Sequence, residues 1–319
     1  MNALLGSLRR LLFGISAEET KFARRGFRGG EGSARAHLEQ VGPAFAHGYH
    51  AALRDDDFAV LVPKLNELPP EWRGFAFEGA AMGLALLDAL TLWRGRRVQN
   101  FLRGSGDAHA YMVHVGVGWV LARWPGNPER VLNRMEPLLR WLALDGYGFH
   151  EGFFHWPRYI DGQPAPRRLQ GYSRRAFDQG FGRSLWFVDG ADVELVPRSI
   201  ARFPVERQAD LWSGAGLAAT YAGGVGAAAL QALREAAGDY RSQLAQGAAF
   251  AAKARQRAGN ITGHTEMAAE VLCGLSAPQA AQVTDEALEN LPANATEPAY
   301  EIWRCRIQRT FKHRHEMQR

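Results

Sequence analysis

The sequence predicts an all-α protein whose two helical halves are duplicates packed with pseudo-two-fold symmetry. Two observations carry this prediction. Apolar residues recur at three- and four-residue steps along the chain, with few runs of alternating β-branched residues, which is the period of a helix and not of a strand. Segments of the first half also return, in order, in the second. Ala44-Phe45-Ala46-His47-Gly48-Tyr49 comes back 132 residues later as Ala176-Phe177-Asp178-Gln179-Gly180-Phe181, and the two copies close on Leu53 and Leu185. Pro69, Glu71, Gly79 and Ala80 answer Pro204, Glu206, Gly214 and Ala215 at an offset of 135, with Phe77 matching Trp212. Gly106-Asp107 and Ala122-Arg123 correspond to Gly238-Asp239 and Ala254-Arg255 at 132, which sets His114 opposite Gln246. Three ordered matches imply a repeated unit of about 80 residues or more. A doubled architecture makes a cleft where its halves meet, and such a cleft is the expected place for a ligand.

The elements follow in order. Residues 1–30 read as an N-terminal amphipathic arm: Leu4, Leu5, Leu8, Leu11 and Leu12 recur at helical spacing, while Arg9 and Arg10 interrupt the apolar run a secretory signal needs. Its leucine stripe is expected to pack on the body or on a partner subunit, with an interfacial membrane position as the alternative. Ser16-Ala17-Glu18-Glu19 has the spacing of a capping box. The first half spans 31–144. Its helices are expected over 34–53, kinked or divided at Pro43, then 72–90 after Pro69-Pro70-Glu71, 108–124 and 128–144. Residues 145–170 form an aromatic-rich connecting segment, either a linker or a structured insertion, and the aromatics favour the insertion. The second half spans 171–319, with helices over 174–188, from Pro204 onward, 227–237, 240–258, 266–275 and 284–290, and a basic tail.

With 319 residues and 46% apolar composition the chain can bury one large core or two fused ones. The net charge of +5 leaves basic fringes at both ends, Arg9 to Arg28 and Lys312 to His315, which are either solvated or attractive to anionic partners. Cys273 and Cys305 are too far apart for a redox or zinc pair, and two thiols in a long chain point to a reducing compartment, the cytoplasm by default. No run of about 18 apolar residues predicts a spanning helix. Walker and nucleophile-elbow motifs are absent, and Gly214-Ala215-Gly216-Leu217-Ala218-Ala219 lacks the preceding strand a dinucleotide turn requires. No basic stripe with interleaved aromatics suggests nucleic acid. No cofactor and no metal are expected.

Glycine is abundant, at 35 residues, and many lie inside expected helices. Each costs about 1 kcal/mol relative to alanine there. Close helix crossings would offset that cost, and so would a flat ligand against a helix face.

Ionisable residues in apolar helices are the candidate chemistry. Glu78 and Asp88 are the two charges of 74–90; Glu78 is either one half of an ion pair or a proton-transfer group. His114 and Gln246 are polar islands in apolar surroundings, and duplication would point both to one region. Glu78 and His114 are the candidate acid and base, with Gln246 orienting the substrate. The densest cluster is 145–156, with Phe149, His150, Glu151, Phe153, Phe154, His155 and Trp156. His150 and His155 are five apart, which turns one about 140° from the other on a regular helix and argues against zinc. The aromatics suit an extended, conjugated, apolar ligand, or else a plug beneath a loop. Asp178, Gln179, Trp186 and Lys253 complete the substrate-binding candidates, with Arg257 on the face of Lys253.

The phrases GFAFEGAAMGLALLDAL (74–90), YMVHVGVGWVLARW (111–124), LRWLALDGYGFHEGFFHW (139–156), AFDQGFGRSLWFVDGAD (176–192) and QGAAFAAKARQRAGN (246–260) resemble a bacterial family of unknown function that includes the UnbL-type proteins accompanying enediyne polyketide synthases. The similarity runs over about 20–310. It implies an accessory role in turning a linear polyene into an enediyne core, beside a membrane protein resembling an electron-transport subunit and other proteins of the same cassette. It assigns no catalytic residues. Two functions are therefore expected: an enzyme or enzyme component acting on an apolar polyene, or a noncatalytic escort that delivers the polyene to synthase or membrane partners, with a homodimer open to either. The location is expected to be cytoplasmic, with peripheral membrane association open.

Overall fold

The computed structural model describes residues 2–29, 32–92, 95–160, 165–292 and 295–317. Residue 30, where the arm was expected to end, and 161–164 of the expected connecting segment lie outside them. Among the described residues the chain is helical, with no strand, and no helix is long and apolar enough to cross a membrane. Two compact units form: 1–26 with 39–147, and 27–38 with 148–319.

The first unit is built on α1 (Asn2–Phe13), α2 (Val41–Arg54), α3 (Pro70–Leu90) and α4 (Ala110–Arg123), with α3 packed against both α2 and α4. Pro69 and Pro70 open α3 where no backbone donor is needed. Pro43 lies in the first turn of α2, and a separate short helix, Ser33–Leu38, precedes it, so the expected division occurs. Leu53, Leu61, Leu65, Ala80, Leu84, Phe101 and Val113 are buried in the core. Glycine sets how closely the helices cross. A Cβ on Gly48 would lie 1.8 Å from the Ala76 carbonyl oxygen, and one on Gly79 would lie 1.9 Å from that of Phe45. The two backbones therefore touch, and the packing explanation of the glycines holds at these crossings.

The arm meets the body through residues other than its leucines. α1 lies on α2 through Gly6, whose Cβ would meet the Arg54 carbonyl oxygen at 2.0 Å, and through Tyr49, whose hydroxyl donates to the Phe13 carbonyl at 2.8 Å. The leucine stripe faces away from this contact, with Leu4 and Leu11 80% and 81% exposed.

The second unit is built on α6 (Tyr172–Val188), α7 (Val205–Tyr221), α8 (Arg241–Arg257) and α9 (Ala299–Met317), with α7 packed against both α6 and α8, and α9 against α8. A Cβ on Gly182 would lie 2.2 Å from the Leu211 carbonyl oxygen, and one on Gly214 would lie 1.9 Å from that of Gln179. Between α4 and α6 in sequence runs α5 (Trp141–Tyr159), which replaces much of the expected connecting segment with helix. Conversely, the helix expected over 128–144 shortens to Glu129–Leu132, because Pro137 interrupts the pattern before α5 begins.

Candidate functional site at a broken helix

α5 carries His150, Glu151 and His155, and it is not regular. Pro157 has no N–H to complete the ladder, and its ring crowds the carbonyl four residues back, so the helix breaks just before it. The break falls on His155, with φ −132° and ψ 23°. The regular-helix spacing that separated the two histidines therefore does not apply. His150 Nδ1 lies 3.3 Å and His155 Nδ1 3.6 Å from the same oxygen, Glu151 Oε1. The Tyr159 hydroxyl donates to the other oxygen, Oε2, at 2.9 Å. Burial pushes the Glu151 carboxyl upward, but the hydrogen bonds from His150 and Tyr159 and the charge of the two histidines outweigh it and hold the group below the ordinary glutamate value. His150 and Glu151 are buried, whereas the His155 side chain is 53% exposed, so the cluster opens to solvent on one side.

The surrounding aromatics are partly core. Phe149 packs on Phe153 and Phe187 with ring centres 5.9 and 5.3 Å away, and Phe27 meets Phe153 edge-on at 5.0 Å. Phe149 and Phe153 are buried, Phe154 is half-buried at the edge of this stack, and Trp156 is also half-buried. Phe154 packs 4.9 Å from the His150 ring and 5.2 Å from Phe153. Two cations lie over aromatic rings here, Arg183 over Phe149 of the stack at 4.9 Å and Arg28 over Trp156 at 5.2 Å.

The other expected residues lie elsewhere. In the first unit Glu78 is buried and accepts from the Trp119 indole N–H at 3.0 Å. His114 is buried, and its Nδ1 donates to the Ala110 carbonyl at 2.7 Å, which fixes the proton on that nitrogen. Asp88 is tied to Arg97 at 3.2 Å and to the backbone N–H groups of Arg97 and Val98, a structural pairing near the end of α3. Gln246 belongs to the second unit, where its Oε1 accepts from Ser213 at 2.8 Å and from Arg304 and Gln308 at 3.2 Å each. Asp178 is bound by two nitrogens of Arg207, at 2.9 and 2.5 Å, and burial pushes its carboxyl up to about 6 although Arg207 opposes the shift. Gln179 donates to the Tyr300 hydroxyl at 3.1 Å, and the Trp186 indole donates to the Gly223 carbonyl at 2.9 Å. Lys253 pairs with Asp285 at 2.7 Å.

The sequence reading missed the network that holds Gln246. Arg304 is fully buried, 2.7 Å from Asp210 and 3.2 Å from Glu301, and Arg175 bridges the same two carboxylates at 2.9 and 2.8 Å. Tyr172 donates to Glu301 at 2.8 Å. The buried Arg304 is thus matched by two buried carboxylates, and the half-exposed Arg175 balances their second charge. A signal was available in α9: Tyr300, Trp303, Ile307 and Phe311 form a buried stripe at helical spacing, and Arg304 lies on it.

A family model described as a protein of unknown function, DUF1702, matches residues 4–311. The chain belongs to the DUF1702 family. The DUF1702 match spans both units and every candidate residue above. Comparison with curated proteins and with solved structures returns no match. The DUF1702 description names no activity.

Proposed function

We propose that this DUF1702 protein is an accessory protein of polyketide-type secondary metabolism, in enediyne pathways, and that it takes up a linear polyene or a derived apolar intermediate at the broken end of α5. The observation that carries this reading is the edge of the aromatic stack. Phe154 stands half-buried against Phe153 of the buried Phe149, Phe153 and Phe187 stack, and Trp156 is half-buried two residues on, with the exposed His155 between them in sequence. A flat conjugated chain laid on this edge extends the stack, at about 0.5–1.5 kcal/mol per aromatic contact beyond its buried area. The polar groups of His155 and Arg28 orient its substituents.

The test is a fluorescence titration of the full chain with a conjugated tetraene fatty acid as probe. Replacing Phe154 and Trp156 together by alanine should weaken uptake about tenfold or more, the equivalent of about 1.4 kcal/mol. Unchanged affinity in that variant, or no uptake by the wild type, overturns the reading.

A second reading, the noncatalytic escort, is favoured by α1. Its leucines present an apolar face that suits a membrane surface, a second copy, a membrane electron-transport-like protein or another cassette protein. Glu78→Gln and His114→Asn separate the two. As an enzyme component the variants lose product and keep binding; as an escort they keep both.

We further propose that the two units descend from one duplicated helical module. In support, a short 3₁₀ turn leads into α4 in the first unit, Asp107–His109, and into α8 in the second, Gly238–Tyr240. Gly48 and Gly79 cross reciprocally in one unit, and Gly182 and Gly214 do so 134 and 135 residues later in the other. Gly116 meets the Glu78 carbonyl as Gly247 meets that of Ser213. This register pairs Gly48 with Gly182, two residues from the match read in the sequence.

A further inference from the structure

We propose that His150, Glu151 and His155 form a three-ligand site for a divalent transition-metal ion, zinc or iron(II), with its remaining positions open to solvent. One ligand atom from each residue falls within a single sphere, all within 4.8 Å of one another. The two distances to Glu151 Oε1, 3.3 and 3.6 Å, are close to the edge of a tetrahedron whose metal–ligand bonds are about 2.0–2.1 Å, an edge of about 3.3 Å. Only the gap between the two histidines must narrow. His155 can close it, since its side chain is exposed and rotates without disturbing the core.

The chemistry of the donors agrees. Two imidazoles and one carboxylate are the set that holds zinc at sites with an open position, and the set that holds iron(II) where two or three positions stay free. Oxygen-seeking magnesium and calcium are disfavoured by two nitrogen donors. Glu151 is already oriented for the task. The Tyr159 hydroxyl engages Oε2, which leaves Oε1 facing both histidines, an outer hydrogen bond of the kind that fixes metal-binding carboxylates. Phe154 packs against the His150 ring and limits its rotation. The helix break is what assembles the set. On an unbroken helix the histidines would point some 140° apart, and the break at His155 instead brings the two rings to 5.9 Å. The ion would carry a positive charge and at least one exchangeable water to the edge where Phe154 and Trp156 stand, so a polarisable group of a bound molecule would meet a Lewis acid there.

The site is tested without any polyene, so its failure and that of the proposed uptake are read separately. The full chain, prepared without a histidine tag and stripped with a chelator, is titrated with zinc(II) against a chromophoric indicator, and with cobalt(II) to read coordination by visible absorption. One ion per chain is expected, with a cobalt spectrum of low coordination number for zinc-type binding or of six-coordination for iron-type binding. His155→Asn, at an exposed position that does not threaten folding, should weaken binding at least about 100-fold, beyond the loss typical of an outer partner. Tyr159→Phe should weaken it about 10- to 100-fold. His313→Asn, at another exposed histidine, should change nothing. The proposal is overturned if fewer than one ion binds per chain, if His155→Asn binds as the wild type does, or if His313→Asn removes the bound ion.

Discussion

Replacing Gly79 by alanine adds one methyl group where α2 and α3 touch. In place, that carbon lies 1.9 Å from the Phe45 carbonyl oxygen, 2.8 Å from its carbon and 3.0 Å from the Tyr49 nitrogen. Ordinary contact begins at 3.4 Å, so the helices must separate by about 1.5 Å. Neither side of the clash is a flexible side chain that could turn away. A gap of about 0.5–1 Å already forfeits a quarter to a half of each contact's dispersion energy, and the whole α2–α3 interface shares the loss. Overpacking of this kind costs about 1–3 kcal/mol and sometimes more, against about 1 kcal/mol gained from alanine's helix propensity. The steric effect wins. With the further loss of backbone Cα–H···O contacts, worth about 0.5–1 kcal/mol each, the expected net destabilisation is about 2 kcal/mol. That lowers the melting temperature by about 4–8 °C, read by far-ultraviolet circular dichroism. Gly263→Ala is the control: no heavy atom lies within 4 Å of its would-be Cβ, so it should melt at or slightly above the wild type. If Gly79→Ala also melts at or above the wild type, backbone contact does not set the helix spacing.

Two further perturbations probe the buried charges of the second unit. Because burial raises Asp178 from 3.8 to about 6 in the folded chain, the folded state binds the extra proton between those values, and stability should fall as pH rises from about 4 to about 6. The groups acting on it are Arg207, Asp210 and Arg175. The contribution is about 3 kcal/mol at most; Asp178→Asn should remove that slope from the pH profile of the urea midpoint, and an identical slope in the variant contradicts the assignment. Arg304→Leu leaves Asp210 and Glu301 paired with Arg175 without the buried Arg304 charge, so urea denaturation should show a loss of about 3–5 kcal/mol. A variant as stable as the wild type would mean that the network contributes nothing to folding.

The helical class was legible because apolar spacing alone separates helix from strand, and the starts of α3 and α7 were legible because Pro69-Pro70 and Pro204 mark first turns. What failed was the inference that α5 stays regular, and what was not legible was which residues bring the elements together. The arm's leucines are expected to pack on the body or a partner subunit, with a membrane interface as alternative; on the body, backbone-to-backbone approach selects the smallest residue, and Gly6 makes that contact while the leucines face out. His155 was placed on an ideal helix although Pro157, two residues later, was the visible sign of a break. The Arg304 network was not legible by spacing, since Asp210 and Arg175 come from α7 and α6, far from α9 in sequence. Its one local trace was a charge on an otherwise apolar stripe. Glu78 and Gln246 were correctly singled out as polar groups in apolar helices, and their partners Trp119 and Ser213 are long-range contacts that only the fold supplies.

Uptake of an apolar conjugated molecule is tested most directly by purifying the full chain from a host that carries its own pathway and analysing what is released on denaturation by mass spectrometry and absorbance. About one polyene-type chromophore per chain is predicted, lost in the Phe154→Ala, Trp156→Ala double variant. Folded wild-type protein that releases no such molecule, and takes none up from an extract of the same host, would contradict it.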